Sequence, residues 1–526
     1  MTKSPRRRRR ATLLAAAGLV TGLVGAVVLR TATTNRSSMS CPLDATFGRM
    51  FPRLPSASWS LDDLTTLAEA SIETTHVAPP PDSDLSDEMA DIPSGYTYVG
   101  QFLDHDVTLD PRPNDLLSAV APSSLVNHRT PQLDLDSVYG EGPTGSPKLY
   151  EDDGVHLRLG APRSGAAHDP AARDLLRDPA NGQALIGDAR NDENKIVASF
   201  HSIMTRFHNA IADDLRAAHP KWDPATLLVE ARDRTTWYYQ WAVLTDFLPK
   251  IAGQATVDHV VSRHDGRWQT RLAFYNACNG SMPVEFSGAT YRFGHSMVRD
   301  DYQLNDAVKE LPVFSLSLDP RANLGGFQPT PSDFGVDWGY FFDLGGTQPQ
   351  HAYRLDASLI PALRLLPGQA AGTASTILAT RNLLRGEQLG LPSGQDVARA
   401  MGIKPLSDDK ILVGEALGPG MDTTTSITSL SSAFTGKAPL WTYVLAEAAN
   451  ETFTVRDGKI VGTRSAVSRL GPVGGRIVAE TIIGLLEADA DSVLHHPEFT
   501  PVVRDHAQFA FSDLVGEATG LTNARP

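Results

Sequence analysis

The spacing of apolar residues predicts α-helices along most of the chain. The clearest pattern spans residues 193–217, where apolar side chains recur at intervals of three and four and leave Lys195, Arg206 and Asp213 on the opposite face. Shorter stretches with the same spacing are residues 96–108, 224–248, 373–384, 394–401 and 474–488. Strand-like runs are few and short. The pattern therefore predicts a mainly α protein that forms one large domain.

Two segments lack any regular period. Residues 77–93 are rich in proline and acidic residues and include the three consecutive prolines Pro79 to Pro81. Proline removes a backbone donor and fixes φ, so this segment is expected to be a surface connection. In residues 110–147 proline, asparagine, aspartate and glycine recur, and irregular structure is expected there as well.

Two histidines, His201 and His208, lie seven residues apart near the apolar stripe of the longest predicted helix. At such positions a buried histidine with a structural role is more common than a ligand. We therefore expect both to be structural.

Composition excludes one class of partner. The 526 residues are 41% hydrophobic and 21% charged, which suffices for a sizeable core. Residues 1–38 hold eight Lys and Arg and no acidic residue, so the remainder carries 61 acidic against 39 basic residues. A body this negative is a poor binder of polyanions, which argues against nucleic acid.

The first 38 residues are typical of a targeting segment with a linker. Arg6 to Arg10 precede an uncharged apolar stretch at residues 11–29, followed by Arg30 and a Thr/Ser/Asn-rich linker. The apolar stretch nearly spans a bilayer, so a signal peptide and an uncleaved signal anchor are both open. Either one predicts an extracytoplasmic protein, whereas translation from Met39 would give a cytoplasmic one.

The two cysteines, Cys41 and Cys278, are too few for a disulfide framework. A single bond between them is open. Cys41 follows Ser38-Met39-Ser40, which lacks the aliphatic residues of a lipidation motif.

One stretch, residues 100–106, places an amide, two carboxylates and an imidazole within two helical turns. In a helix, Gln101, Asp104 and His105 share one face, while Asp106 points about 100° away from His105. His105 suits a general base, Gln101 an orienting partner and Asp106 a hard-oxygen ligand. The His-Asp pair also suits a structural hydrogen bond or a metal-dependent hydrolase.

Three later segments complete a resemblance. They are the acidic loop at residues 130–140, the segment Gly-Asp-Ala-Arg-Asn-Asp-Glu-Asn at 187–194, and Tyr-Arg-Phe-Gly-His at 291–295. Together with the first stretch they resemble the animal-type haem peroxidases of the peroxidase-cyclooxygenase superfamily, over about residues 47–488. The resemblance implies a secreted, bacterial-like member with a single large helical peroxidase domain at residues 39–526.

The resemblance implies haem b as the cofactor. His295 matches the proximal histidine that binds the iron, and Asn382 matches the residue that orients this histidine. On the distal side His105 matches the general acid/base, Arg190 the positive charge that stabilises developing negative charge, and Gln101 an orienting side chain.

Two carboxylates, Asp104 and Glu193, match positions where relatives form esters with haem methyl groups. Asn194 stands where a mammalian relative has a methionine that forms a sulfonium bond. Because asparagine has no thioether, at most two ester bonds and no sulfonium link are expected.

The resemblance also implies a calcium site. Its ligands would be the backbone carbonyl of Gln132 and the side chains of Asp106, Thr130, Asp134 and Asp136, all of them the oxygen donors that calcium prefers. The family often has serine at the position of Asp136. An acidic turn without an ion is the alternative.

The implied function is reduction of hydrogen peroxide coupled to oxidation of a halide, a pseudohalide or a small organic donor. The alternatives are a fatty-acid dioxygenase of the same superfamily and a non-catalytic extracellular adhesion-type protein. Dioxygenases place a tyrosine three residues before the proximal histidine, whereas this chain has Arg292 there and Tyr291 one residue earlier. The complete set of matching histidines, arginine and glutamine argues against an adhesion-type protein.

Overall fold

A computed structural model describes residues 46–73, 88–110, 116–276, 281–366, 376–416, 423–450, 455–456, 459–460, 469–502 and 508–520. These ranges are mostly helical, and their strands are two to six residues long, which confirms the predicted mainly α fold. Among the helices within them, none combines the length and the apolar character needed to cross a membrane. The predicted targeting segment, Met39 and both cysteines lie outside the described residues.

The α-helices are numbered in chain order. They are α1 (Leu61–Ala70), α2 (Gly95–Val107), α3 (Asp136–Tyr139), α4 (Gly142–Gly145), α5 (Lys195–Ala218), α6 (Pro224–Ala242), α7 (Leu248–Ala252), α8 (Gln254–Val260), α9 (Val284–Ser287), α10 (Leu378–Gln388), α11 (Gly394–Ala400), α12 (Ile427–Leu430), α13 (Leu440–Asn450), α14 (Pro472–Ala488) and α15 (Phe511–Thr519). A π-helical turn, Val243–Phe247, links α6 to α7. Short 3-10 helices are Pro122–Ser124, Pro147–Leu149, Ala189–Asp192, Thr290–Met297, Trp338–Tyr340, Pro361–Arg364, Asp408–Lys410, Ser432–Phe434 and Val493–His495.

The strands form small two-stranded ladders. They are β1 (Phe47–Gly48), β2 (Glu88–Pro93), β3 (Val261–His264), β4 (Arg267–Thr270), β5 (Met282–Pro283), β6 (Asp301–Tyr302), β7 (Leu311–Pro312), β8 (His351–Tyr353), β9 (Leu412–Val413), β10 (Thr425–Ser426), β11 (Val455–Arg456) and β12 (Lys459–Ile460). β1 pairs with β5 in parallel, and the other pairs, β2–β8, β3–β4, β6–β7, β9–β10 and β11–β12, are antiparallel.

Helix α5 lies at the centre of the core, against α2, α6 and α15. The side chain of Asn194 caps its first turn by accepting from the backbone N–H of Ile196 at 2.8 Å. The predicted polar face is only partly exposed. Asp213 is exposed, but Arg206 is buried in an ion pair with Asp169, and Lys195 is buried with its ammonium donating to two backbone carbonyls. Segments that carry Asp169 and Asn323 cover Arg206 and Lys195 on this face of the helix.

The other predicted helices are present with shifted ends. The segment predicted as one helix at 224–248 divides at the π-helical turn, just before Pro249, which has no N–H to continue an α-helical ladder. The helix predicted at 373–384 spans Leu378–Gln388 instead. The predicted surface connection at 77–93 ends in β2, which pairs with β8 and buries Ile92. Residues 77–87 of that connection are outside the described residues.

Aromatic packing and buried ion pairs position the segments that carry the predicted site. On α2, Phe102 packs edge-on against Phe200 of α5, with ring centroids 5.2 Å apart. Arg177 donates to both carboxylate oxygens of Asp192 at 2.8 Å and also bonds Asp174, which ties down the 3-10 turn before α5. This turn is thereby held beside the C-terminal half of α2.

Candidate active site

Helix α2, the two 3-10 turns Ala189–Asp192 and Thr290–Met297, and α10 surround a cavity of about 650 Å³. A cavity of this size lies within the range of ordinary cofactor sites. Six of the residues predicted for the haem site line it: Gln101, Asp104, His105, Arg190, Glu193 and His295. The structure therefore brings together side chains from three distant parts of the sequence.

His105 is almost fully buried and directs one ring nitrogen towards the cavity. Its Nδ1 lies 2.9 Å from Oδ1 of Asn191, and its Nε2 lies 3.4 Å from Oε1 of Glu193. Gln101, one helical turn earlier, donates from Nε2 to the same oxygen of Glu193. Gln101 and His105 therefore both face the same carboxylate oxygen, which their common helix face allows.

Arg190 is held as a fixed positive charge at the cavity wall. Its guanidinium bonds Asp188 at 2.8 Å and also donates to the backbone carbonyls of His105 and Thr108, at 3.1 Å and 2.6 Å. Burial opposes the charge, but the hydrogen bonds to Asp188 and the nearby carboxylates, Asp104 among them, raise the pKa of Arg190 above its ordinary value.

The proximal histidine candidate, His295, is neutral. Burial, together with the charge of Arg292, lowers its pKa to about 3. Nδ2 of Asn382 lies 3.0 Å from Nδ1 of His295, and Oδ1 of Asn382 accepts from Arg292 at 3.1 Å. The predicted neighbours are therefore in contact, with the amide nitrogen of Asn382 facing the imidazole. In this orientation Asn382 donates to Nδ1, and the ring proton lies on Nε2.

The two residues that separate this chain from the dioxygenase pattern both have fixed partners. Arg292 also donates to the carbonyl of Ser287 at 3.1 Å, and burial lowers its pKa to about 10. Tyr291 lines the cavity, donates to the carbonyl of Gly100 at 3.3 Å and stacks on Phe286.

Both carboxylates predicted to form esters face the cavity. Asp104 accepts from the hydroxyl of Thr108 at 3.1 Å, and the side chains of Asp104 and Glu193 are 36% and 39% exposed. Asn194 also lines the cavity, although its amide oxygen is used as the cap of α5.

Asp106 points away from the cavity, as its place on α2 predicts, and joins a second group. Carboxylate oxygens of Asp106, Asp134 and Asp136 lie within 4.8 Å of one another. Among the described residues, no other set of three or more His, Cys, Asp and Glu side chains is arranged to hold a metal ion. His105 is not part of this group, so the two members of the predicted His-Asp pair belong to different clusters of side chains.

Asp106 of α2 and the loop that leads into α3 together have features of a cation site. Burial, followed by repulsion from the neighbouring carboxylates, raises the pKa of Asp106 and brings that of Asp134 to about 7. The hydroxyl of Thr130 lies 3.3 Å from Asp136. Leu133 and Leu135 have positive φ angles of 52° and 60°, a conformation that costs free energy in a residue with a branched side chain.

One predicted ligand of the second group has another partner. The carbonyl of Gln132 lies 3.4 Å from the amide nitrogen of Gln240.

The hydroxyl of Tyr239 is fully buried and has no hydrogen-bond partner among the described residues. It lies near enough to Asp106 for the charge of that carboxylate to contribute to the raised pKa of Tyr239. One buried and two half-buried acids beside a polar atom without a partner fit a bound divalent cation.

Sequence reasoning missed Asn191, which is completely buried between His105 and His201. It lies inside the recognised segment 187–194, but nothing in that segment indicates where its amide points. The expectation that His201 and His208 are buried is confirmed, and burial lowers the pKa of each to about 4.

Comparisons with known sequences agree with this geometry. A family model described as animal haem peroxidase matches residues 101–417. The chain is 27% identical to thyroid peroxidase of Rattus norvegicus over 314 residues, which cover 55% of this chain and 32% of that protein. It is 26% identical to peroxidasin homolog of Homo sapiens over 300 residues, 53% of this chain and 19% of that protein. The chain thus spans about a third or less of these relatives.

Solved structures share the fold. Peroxidase A from Dictyostelium discoideum aligns with a TM-score of 0.56 at 16% identity, over 91% of this chain and 93% of that chain. A fatty acid alpha-dioxygenase from Arabidopsis thaliana aligns with a TM-score of 0.57 at 15% identity, over 92% of this chain and 79% of that chain. Likeness at this identity concerns the fold alone, but the family model covers more than half of the sequence. The chain belongs to the animal haem peroxidase family.

Proposed function

We propose that this protein is a hydrogen-peroxide-dependent haem peroxidase that oxidises a halide, a pseudohalide or a small organic donor. The observation that carries the proposal is that His105, Arg190 and His295 all line the same cavity. A base, a fixed positive charge and a neutral imidazole are the groups that peroxide reduction at a haem requires.

The distal residues perform the proton chemistry. Nε2 of His105 removes a proton from hydrogen peroxide and returns it to the departing oxygen, which leaves as water. Arg190 stabilises the negative charge that develops as the O–O bond breaks. When bound, haem would supply the two electrons that this reduction needs, and the donor would replace them.

The proximal residues hold the cofactor. His295 would bind the iron through Nε2, which requires its proton on Nδ1. A 180° rotation of the Asn382 amide supplies an oxygen acceptor for that proton. Arg292 then loses its bond to Oδ1 of Asn382 and keeps the one to the carbonyl of Ser287.

The peroxidase is favoured over the dioxygenase by the side chains beside His295. Arg292 replaces the tyrosine of dioxygenases, and its guanidinium lies against Asn382. Tyr291 donates to the backbone of α2, which is a structural use of its hydroxyl.

The activity is tested with protein reconstituted with haem. Iodide, bromide, chloride, thiocyanate and a phenol are each supplied with hydrogen peroxide, and oxidation products are measured. We expect a Soret band that shifts when peroxide is added and turnover of at least one donor. A haem-loaded protein that oxidises none of them and leaves peroxide unchanged would refute the function.

We propose that Asp106, Thr130, Asp134 and Asp136, with the carbonyl of Gln132, bind calcium. Asp134→Ala should abolish the calcium-dependent rise in thermal stability. In wild type that rise should be about 2.7 kcal/mol at a calcium concentration a hundred times the dissociation constant. Haem content should fall with it, because Asp106 adjoins His105. Thermal unfolding with calcium and with chelator, together with haem content, measures both effects.

Thermal unfolding in the presence of chelator distinguishes a calcium site from an acidic turn without an ion. Without calcium, Asp134→Ala should be at least as stable as wild type, because it relieves repulsion among buried carboxylates. Asp152→Ala, which changes a fully exposed carboxylate, should keep the calcium response. If the thermal stability of wild type is the same with calcium and with chelator, these carboxylates form an acidic turn that binds no calcium.

We propose that Asp104 and Glu193 attach the haem by at most two esters. In each ester, an oxygen of the carboxyl group would bond to the carbon of a haem methyl group. The carboxyl group would lose a proton, and the methyl group a proton and two electrons. One hydrogen peroxide would take up both protons and both electrons and become two waters. After limited peroxide treatment, acid-organic extraction should leave haem on the wild-type chain. An Asp104→Asn, Glu193→Gln double variant should release it, because an amide cannot form the ester. Complete release from treated wild type would eliminate the esters while leaving the peroxidase proposal in place.

We also propose that residues 39–526 act as one peroxidase domain and that residues 1–38 direct its export. The cavity draws lining residues from Phe47 to Leu389, so its construction needs much of this length. Contact with a membrane is expected only if the targeting segment stays uncleaved.

A further inference from the structure

Asn191 links the distal histidine to a second buried histidine. Its Oδ1 lies 2.9 Å from Nδ1 of His105, and its Nδ2 lies 3.1 Å from Nδ1 of His201. Asn191 is 0% exposed, and His105 and His201 are each 4% exposed. The amide offers an oxygen that accepts from one imidazole and a nitrogen that donates to the other. Its orientation therefore decides which imidazole nitrogen carries a proton.

The directions of these bonds follow from the atoms involved. A carbonyl oxygen only accepts, so Nδ1 of His105 is the donor and keeps its hydrogen. The amide nitrogen only donates, so Nδ1 of His201 accepts with its lone pair. Burial keeps His201 neutral by lowering its pKa to about 4, which leaves that lone pair free. His201 is held on α5 with its ring edge-on to Phe102.

We propose that Asn191, oriented by His201, is a positioning residue that keeps a hydrogen on Nδ1 of His105 and thereby confines proton transfer to Nε2, the nitrogen facing the cavity. This inference rests on the proposed peroxidase function. It adds that the hydrogen bond to Asn191 sets the tautomer of the general base, His105. Without the Asn191 oxygen, the neutral ring can carry its hydrogen on Nε2 instead. In that tautomer His105 cannot take a proton from peroxide at the cavity.

The test compares haem-reconstituted variants by the second-order rate constant for hydrogen peroxide, per bound haem, at about pH 8, where histidines are mostly neutral. Asn191→Leu, which removes both polar atoms at similar size, should slow the reaction about ten- to a hundredfold, part of what a general base contributes. Asn191→Asp keeps an oxygen acceptor and should retain most of the rate. The KM for the electron donor should be unchanged in both.

His201 and His208 provide a matched pair on the same helix. His208 is equally buried and has an equally lowered pKa, but its partners are Tyr139 and the carbonyl of Val155. His201→Leu should slow the reaction with peroxide, whereas His208→Leu should lower stability without changing the rate per haem. An equal effect of the two, or Asn191→Asp as slow as Asn191→Leu, would overturn the proposal.

A measurement without any variant covers the case in which Asn191→Leu does not fold. Wild type labelled with 15N-histidine and reconstituted with diamagnetic zinc protoporphyrin should show His105 protonated on Nδ1 and His201 protonated on Nε2. The opposite tautomers would overturn the proposal. Haem-loaded wild type that does not react with peroxide would instead refute the peroxidase function, and the role of Asn191 with it.

Discussion

Replacing His295 with alanine is expected to abolish stable haem incorporation. Among the described histidines, only His295 and His105 line the cavity, and His105 is already held by Asn191 through Nδ1. Loss of the imidazole also leaves Asn382 and Arg292 facing a gap with no ligand for the iron. Titration with haem, followed by the Soret absorbance after gel filtration, measures the loss.

Two further variants define the role of His295. His259→Ala, on the exposed surface of α8, should bind haem like wild type. His295→Gly should recover a histidine-like spectrum when free imidazole is added, because the imidazole can enter the space left by the side chain. A wild-type Soret spectrum in His295→Ala would assign the iron to another ligand.

Replacing His105 with alanine is expected to slow the reaction with hydrogen peroxide by about two orders of magnitude or more, the scale of a lost general acid/base. The Soret band should remain, because the proximal contacts of His295 do not involve His105. Stopped-flow spectroscopy with a series of peroxide concentrations gives the rate constant.

A second variant, Arg190→Lys, tests the role of the positive charge separately from proton transfer. Arg190→Lys keeps a charge but not the planar set of bonds to Asp188 and the backbone of α2, so a smaller loss of rate is expected. Rates in His105→Ala that match wild type would remove His105 from the chemistry, whatever the result for Arg190→Lys.

Local helix geometry explains why much of the site was predictable. Gln101 and His105 are four residues apart, so one helical face presents both to the cavity. Asp106 is the next residue and points to the acidic loop instead, where it lies with Asp134 and Asp136. These outcomes follow from the helical repeat once α2 is formed.

The partners of individual polar atoms were not predictable in this way. Asn382 lies beside His295 as expected, but Arg292 engages its oxygen and turns its nitrogen towards the imidazole. Glu193 lines the cavity and also contacts Gln101 and His105, which its place in the sequence did not indicate. Each of these orientations depends on a contact with a side chain from a different segment of the sequence.

The sequence by itself determined that the six predicted segments are helical, that strands are short, and which side chains of α2 share a face, because these properties depend on residues close together in the chain. Only the tertiary structure decided that Lys195 and Arg206 are buried and that Asn191 contacts both His105 and His201. His105 and Asn191 are 86 residues apart. Such contacts arise when separate segments pack against one another, and no local period in the sequence encodes them.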